Sequence, residues 1–241
     1  MNIIEVKSYD KMSEKACALI LDQLKESDKS VLGLATGSTP EGMYQRLIEQ
    51  FNAGNVSFKN ATTFNLDEYV GLAADDPNSY KYYMNDKLFN HIDLPAERAF
   101  VPRGDAANLE QECRDYEKRI AEAGYVDLQV LGLGLNGHIG FNEPGTPLNS
   151  RTHVVDLDES TRHANSRFFA TMDDVPSQAL TMGIGTIMES RQIVMLVSGE
   201  KKAEAVRQLV NGKVTSEMPA SVLQNHENVT LIGDTEALSK L

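Results

Sequence analysis

The sequence predicts an α/β fold, a mostly parallel sheet flanked by helices, with one irregular segment left over. Two observations carry this. Short apolar or β-branched runs alternate along the chain with longer amphipathic ones. The 241 residues suffice for one large domain and are short for two, and no repeat, low-complexity run or linker divides them.

The elements follow in order. Residues 1–6 read as a short strand. Met12, Ala16, Leu19, Ile20 and Leu24 then recur at three- and four-residue steps, which is one apolar face of a helix. Residues 31–35 form an apolar run fitting a buried strand. A second helix is expected from Pro40, with Met43, Leu47, Ile48 and Phe51 on one face and Gly54 as its stop. The alternation continues with a strand near 61–66, a helix near 79–89, a short strand at 99–101, a helix at 109–123 and a strand at 126–131. Residues 193–197 and 229–232 are expected strands around a helix that starts near Glu200.

One region breaks the rhythm. From Arg151 to about Thr181 the chain is polar, charged and weakly periodic, although 160–170 fits a short helix. A long soft segment inside an α/β domain suits a mobile lid. A plain surface excursion is the alternative. The expected organisation is one domain over 1–241, with a lid at about 151–181.

Composition bounds the function. A net charge of −12 disfavours nucleic acid, whose binding requires Lys and Arg against phosphates. It leaves room for a small anionic substrate, because local cations and backbone amides outweigh a distant average. No apolar stretch approaches the roughly 20 residues that span a bilayer, and the N-terminus lacks the basic start of a signal peptide. Cys17 and Cys113, the two cysteines, lie in helix-like segments without metal spacing and are read as buried or half-buried thiols. The expected compartment is the cytoplasm.

In open α/β sheets ligands bind beyond the carboxyl ends of the strands, and four constellations fall there. Thr36-Gly37-Ser38-Thr39-Pro40 joins a buried strand to a helix. Gly37 allows a tight turn, Thr39 is expected to cap the helix and Pro40 to occupy its first turn. Free amides there, with the Ser38 and Thr39 hydroxyls, would make an anion pocket; an ordinary capped turn is the alternative. In Thr63-Phe64-Asn65-Leu66-Asp67-Glu68-Tyr69 an apolar strand ends in two acids. One carboxylate can enter the cleft as a general base while its neighbour is turned aside, though adjacent acids on a loop are also commonly just solvated.

The third stretch runs from Leu131 to Pro144. Gly132, Gly134 and Gly137 match a dinucleotide fingerprint, but that motif requires a helix to begin at its end. Gly140, Pro144, Gly145 and Pro147 oppose one. Asn136, His138 and Glu143 gather here without a helical metal-ligand spacing. A histidine flanked by glycines and near a carboxylate suits proton shuttling, where a lone loop histidine is otherwise structural. Fourth, Arg167 in the expected lid and Lys202 at a strand-to-helix turn are candidates for clamping a phosphate. Each alone would read as a solvated surface charge.

Together these stretches resemble the glucosamine-6-phosphate deaminases of the glucosamine/galactosamine-6-phosphate isomerase family. The matching segments are Leu34-Ala35-Thr36-Gly37-Ser38-Thr39-Pro40, Phe64-Asn65-Leu66-Asp67-Glu68-Tyr69-Val70-Gly71-Leu72, Asn136-Gly137-His138-Ile139-Gly140-Phe141-Asn142-Glu143-Pro144 and Asn165-Ser166-Arg167-Phe168-Phe169, in the family's order. The resemblance implies a Rossmann-like sheet and conversion of glucosamine 6-phosphate and water to fructose 6-phosphate and ammonia, with neither metal nor organic cofactor. It implies ring opening by His138, oriented by Glu143 and Asn136, and C2-to-C1 proton transfer by Asp67. Gly37, Ser38, Thr39, Arg167 and Lys202 would serve the phosphate.

There are departures. Some longer members have Asp where this chain has Asn136, so tuning of His138 would rest more on Glu143. Longer, allosterically activated members carry basic residues after the Ser150-Arg151-Thr152 region, where this chain has His153, Val155 and Asp156. It also ends at Leu241 without their extension, so a monomer lacking that activation is expected, with no nucleic-acid or membrane partner. The rivals are a galactosamine-6-phosphate deaminase, differing at the C4 hydroxyl, a 6-phosphogluconolactonase, which needs no C2 base, and a non-enzymatic sugar-phosphate sensor.

Overall fold

In a computed structural model, which describes residues 1–157, 159, 162–163, 166, 169 and 171–241, seven strands form one parallel sheet in the order β1-β10-β9-β6-β2-β3-β5. They are β1 (Asn2–Val6), β2 (Val31–Leu34), β3 (Thr62–Asn65), β5 (Ala99–Phe100), β6 (Leu128–Gly132), β9 (Gln192–Val197) and β10 (Val229–Asp234). Continuous apolar runs made β2 and β9 legible as buried strands. Every residue of β2 is buried, as are five of the six in β9.

Side chains of a strand alternate between faces, and the core divides accordingly. Leu32, Leu34, Leu128, Val130, Val194, Leu196 and Ile232 pack in one cluster. Val31, Leu131, Ile193, Met195, Val197 and Leu231 pack in the other. Helices α1 (Tyr9–Glu26), α2 (Glu41–Asn52) and α3 (Tyr80–Lys87) cover the first face through Met12, Ala16, Ile20, Met43, Leu47 and Met84. Helices α4 (Leu109–Glu122), α5 (Ile184–Met188) and α6 (Ala203–Asn211) cover the second through Tyr116, Ile120, Ile184, Ile187, Val206 and Leu209. The expected parallel α/β sheet with helices on both sides is therefore present.

A second, antiparallel sheet was not foreseen. It has the order β4-β8-β7, with β4 (Asp67–Tyr69), β7 (His153–Asp156) and β8 (Gln178–Thr181). β4 begins just past β3, at the carboxyl edge of the main sheet. Leu66 sits on the junction, its carbonyl accepting from Met182 N at 2.6 Å while its own N–H donates to Leu34 O at 3.2 Å. The expectation of a weakly periodic segment over 151–181, with at most a short helix at 160–170, is thus corrected at its two ends. Two strands bracket it, and β7 escaped notice because three of its four residues are half-buried and the fourth exposed, which blurs the alternation. The expected helix at 160–170 falls mostly outside the described residues. Cys17 and Cys113 are buried free thiols in α1 and α4.

Candidate active site

β2 and β6 are neighbours, and from them the chain winds outward in opposite directions, to β3 and β5 on one side and to β9 and β10 on the other. Connections leaving such a switch point diverge and open a crevice at the carboxyl ends. The turn after β2 carries Gly37, Ser38 and Thr39. Asp67 follows β3, Asn136, His138 and Glu143 follow β6, and Lys202 follows β9.

Asp67 is only 7% exposed, and no described donor reaches its carboxylate. Burial, with the neighbouring Glu68 charge adding to it, pushes its pKa up to about 8. What packs beside it is glycine. A Cβ on Gly140, whose φ is +58°, would lie 3.5 Å from Asp67 Oδ2 and 2.9 Å from Thr181 Oγ1. A side chain there would crowd the carboxylate, so the close approach requires glycine. Glu68 turns the other way. It accepts N–H groups from Tyr69, Tyr80 and Lys81, each at 2.9 Å. Burial still outweighs those three bonds and raises its pKa to about 7.

No helix follows β6, which leaves the glycines to shape a loop. Asn136 Nδ2 donates to Glu143 Oε2 at 2.7 Å, which fixes the amide so that Oδ1 faces the imidazole. Nδ1 of His138 lies 2.8 Å from that oxygen, and the His138 N–H reaches it at 3.2 Å. Nδ1 therefore carries the proton, and Nε2, engaged by no described residue, is the acceptor. Glu143 stands at 3.6 Å from Nδ1, so contact with the ring is made by Asn136. Gly134 makes room for the ring, since a Cβ there would come within 2.3 Å of Nδ1. Asn142 pins the loop through bonds to Ile139 O at 2.8 Å and Met182 O at 2.9 Å, and Phe141 N–H donates to Thr181 Oγ1 at 3.0 Å.

The turn after β2 departs from expectation in two respects. Pro40 occupies the cap of α2 with φ −84° and ψ −6°, and no side chain caps the helix, so Thr39 is not its cap. The helix end is also less open than expected, because Tyr9 Oη accepts the Gly42 N–H at 2.9 Å and donates to Ser38 O at 2.8 Å. A tyrosine from α1 does what the local threonine was expected to do. Gly37 makes the tight turn with φ +89°. It and Ser38 are exposed and Thr39 is half-buried.

Lys202 Nζ donates to Leu133 O at 2.5 Å, and burial lowers its pKa. Its turn is held by Asp234 at the end of β10, which accepts Gly199 N–H at 3.0 Å and the Ser198 hydroxyl. Arg167 lies outside the described residues. Thr181, Asn142 and Asp234 escaped the sequence reading because each makes a bond to a residue distant in the chain. Among the described residues no group of three or more His, Cys, Asp or Glu side chains is placed to hold a metal ion, and no helix is long and apolar enough to cross a membrane.

Fold and site define an α/β protein with the titratable side chains Asp67 and His138 at the switch point of a doubly wound sheet. Comparison with known proteins narrows this. Residues 5–232 match the family of glucosamine-6-phosphate isomerases and 6-phosphogluconolactonases, and the chain belongs to that family. It is 56% identical to a glucosamine-6-phosphate deaminase of Shouchella clausii over 99% of this chain and 97% of the relative. It is 53% identical to glucosamine-6-phosphate deaminase 1 of Bacillus subtilis over 99% of each. A solved structure described as a monomeric glucosamine-6-phosphate deaminase superposes with a TM-score of 0.98 at 53% identity, covering both chains completely. A 6-phosphogluconolactonase from Trypanosoma brucei shares the fold, with a TM-score of 0.82 at 22% identity over 100% of this chain and 98% of that one.

Proposed function

We propose that this protein is a glucosamine-6-phosphate deaminase, opening the sugar ring, isomerising the aldose to a ketose imine and hydrolysing it to fructose 6-phosphate and ammonia. The observation that carries the reading is the glycine-packed Asp67 carboxylate, which no described donor reaches, at the same crevice as an imidazole with a fixed tautomer.

His138 Nε2 takes the proton of the anomeric hydroxyl and returns it to the ring oxygen as the C1–O5 bond breaks. Asn136 holds the ring for this through Nδ1, and Glu143 holds Asn136. Asp67 then removes the C2 proton and delivers it to C1, while the substrate ammonium gives up one proton to the former aldehyde oxygen O1, leaving a C1 hydroxyl and a C2 iminium. Water adds to that iminium and ammonia departs. At neutral pH the empty site leaves Asp67 largely protonated. A substrate ammonium arriving beside it favours the carboxylate, so binding readies the base.

Gly37, Ser38 and Thr39 receive the phosphate by backbone and hydroxyl, and Lys202 adds charge once the phosphate competes for its ammonium. The segment at about 151–181 is assigned as the lid, and Arg167 within it, which lies outside the described residues, is assigned to the same phosphate. Holding that remote group positions C1 and C2 against Asp67. The working form is a cytoplasmic monomer.

The test is ammonia release from glucosamine 6-phosphate in D2O buffer with a chelator, for the wild type and Asp67→Asn. The expected result is rapid release with deuterium appearing at C1 of the product, both lost in the variant. Release without deuterium that survives the substitution would remove Asp67 from the chemistry. No release from the wild type would overturn the activity.

A further inference from the structure

Helix α3 touches three parts of the candidate site, and one carboxylate holds its start. It has eight residues, too few for intrinsic helical stability, so its place must come from tertiary contacts. Its first N–H groups are unsatisfied by geometry. Ser79 caps only one, accepting from Tyr82 N at 3.0 Å. Glu68, on the strand that carries Asp67, takes Tyr80 N on Oε1 and Lys81 N on Oε2. The same Oε1 accepts its own neighbour Tyr69 N, which locks the carboxylate plane to β4.

From that anchor α3 reaches two further elements. One turn on, Tyr83 Oη donates to Gly37 O at 2.7 Å, holding the turn assigned to the phosphate. The Tyr80 ring stacks on Phe141 of the histidine loop at 6.0 Å and meets Tyr69 at 4.9 Å. The base strand, phosphate turn and histidine loop therefore share one small helix.

We propose that Glu68 is a positioning residue, which through α3 and Tyr83 holds the Asp67 strand and the Gly37 turn in one register. This rests on reading Asp67 as the base and the Gly37 turn as the phosphate site. In this arrangement a substrate clamped by its phosphate meets a base whose distance from that clamp is set by Glu68.

Several charged or titratable groups face the pair. Asp67 and Tyr69 share β4 with Glu68, Tyr80 and Lys81 come from α3, Asp76 from the loop before it and Tyr116 from α4. Arg103 and Arg119 line the cavity, of about 390 Å³, that opens beside Glu68 and Lys81. Of these, Glu68 is the charge that acts on Asp67. Its removal therefore carries a second, electrostatic signature.

The experiment compares wild type, Glu68→Gln and Tyr83→Phe. For Glu68→Gln the expected result is a roughly tenfold or greater fall in kcat with a several-fold rise in KM. The acidic limb of kcat/KM should also move down by roughly half to one pH unit, as a like charge beside the base is lost. Tyr83→Phe should raise KM several-fold and leave that limb in place. A loss of stability alone would not move the limb. Hydrogen exchange reads the same tie with no substrate. In Glu68→Gln the amides of α3 and of Gly37 to Thr39 should exchange faster together, and in Tyr83→Phe the turn alone should loosen. Faster exchange in α3 with an unchanged turn, or kinetics within twofold of wild type in both variants, overturns the proposal. If Glu68→Gln fails to fold, an unchanged KM and an unchanged turn in Tyr83→Phe overturn it, and a raised KM with a loosened turn supports it. A wild type without deaminase activity would refute the reaction and leave the exchange results to judge the tie.

Discussion

Replacing Asp67 by Asn should abolish activity and stabilise the protein, and the stabilisation should grow with pH. The carboxylate's pKa rises from 3.8 to about 8 on folding. Linkage fixes the sign. Between those values the native state holds a proton that the unfolded state has released, so stability falls as pH rises from about 4 to about 8. Below that window the cost is absent, and above it the cost is complete. Each pKa unit corresponds to about 1.4 kcal/mol, so about three units separate pH 7 from the unfolded value and the burden there approaches 4 kcal/mol. The side chain is nearly fully buried, so solvent screening takes little from this. An Asn amide in the same place lacks partners and costs about 1–2 kcal/mol at every pH. The net gain at pH 7 is then about 2–3 kcal/mol, which for a domain of this size raises Tm by roughly 5–10 °C. Thermal unfolding of both proteins at half-unit steps from pH 4.5 to 8.5 measures it. The gain should be nil or reversed at the acid end and level off above pH 8. A Tm difference that does not change with pH would refute the claim that an unpaired buried charge is being removed. The same variant should lose about 10²–10⁴ in kcat, the range of a general base.

Three further outcomes follow from the geometry. Asn136→Ala removes the bridge between His138 and Glu143, and kcat should fall about 10²-fold, with Tm little changed because residue 136 is exposed; steady-state kinetics beside thermal unfolding checks both. Gly134→Ala brings a methyl within 2.3 Å of His138 Nδ1, so the imidazole must move, and ammonia release should collapse while far-ultraviolet circular dichroism stays native. Lys202→Gln loses a charge-assisted bond of about 2 kcal/mol; KM for the sugar phosphate should rise roughly tenfold or more, and competition by inorganic phosphate should weaken in parallel.

β2 and β9 were legible because they are buried on both faces and therefore read as unbroken apolar runs. α1, α2, α4 and α6 were legible because each has one buried stripe, whereas the five-residue α5 is too short to show one and was not read. β4 was not, since three residues with two acids carry no strand pattern and their pairing partner, Thr181 to Ala179, lies far along the chain. Thr39 and Pro40 carry a strong local capping signal, yet the Tyr9 hydroxyl supplies the contact, and nothing near Pro40 announces it. His138, Asn136 and Glu143 could be grouped from sequence because one loop holds all three. Their order in the relay, with the amide between ring and acid, depends on rotamers that spacing does not encode. The fate of Glu68 was equally hidden, because its donors belong to a helix that packing brings to it.

Asp67 and Glu68 sharpen the point, because as sequence they are two adjacent acids of equal standing. Both are buried, and burial raises both pKa values. The difference lies in what each receives in return. Glu68 gains three backbone N–H bonds and becomes part of the frame, whereas Asp67 gains a glycine and no described donor. A carboxylate that the fold has satisfied has little tendency to take a proton from carbon. One that the fold has desolvated and left unpaired has a raised proton affinity and room beside it for a reacting atom. The instability that Asp67 brings and its proposed role as a base thus have one source, burial that no described donor offsets. Supplying such a donor should stabilise the fold in proportion as it weakens the base. A sheet buried on both faces is the kind of scaffold that can carry such a charge at its edge.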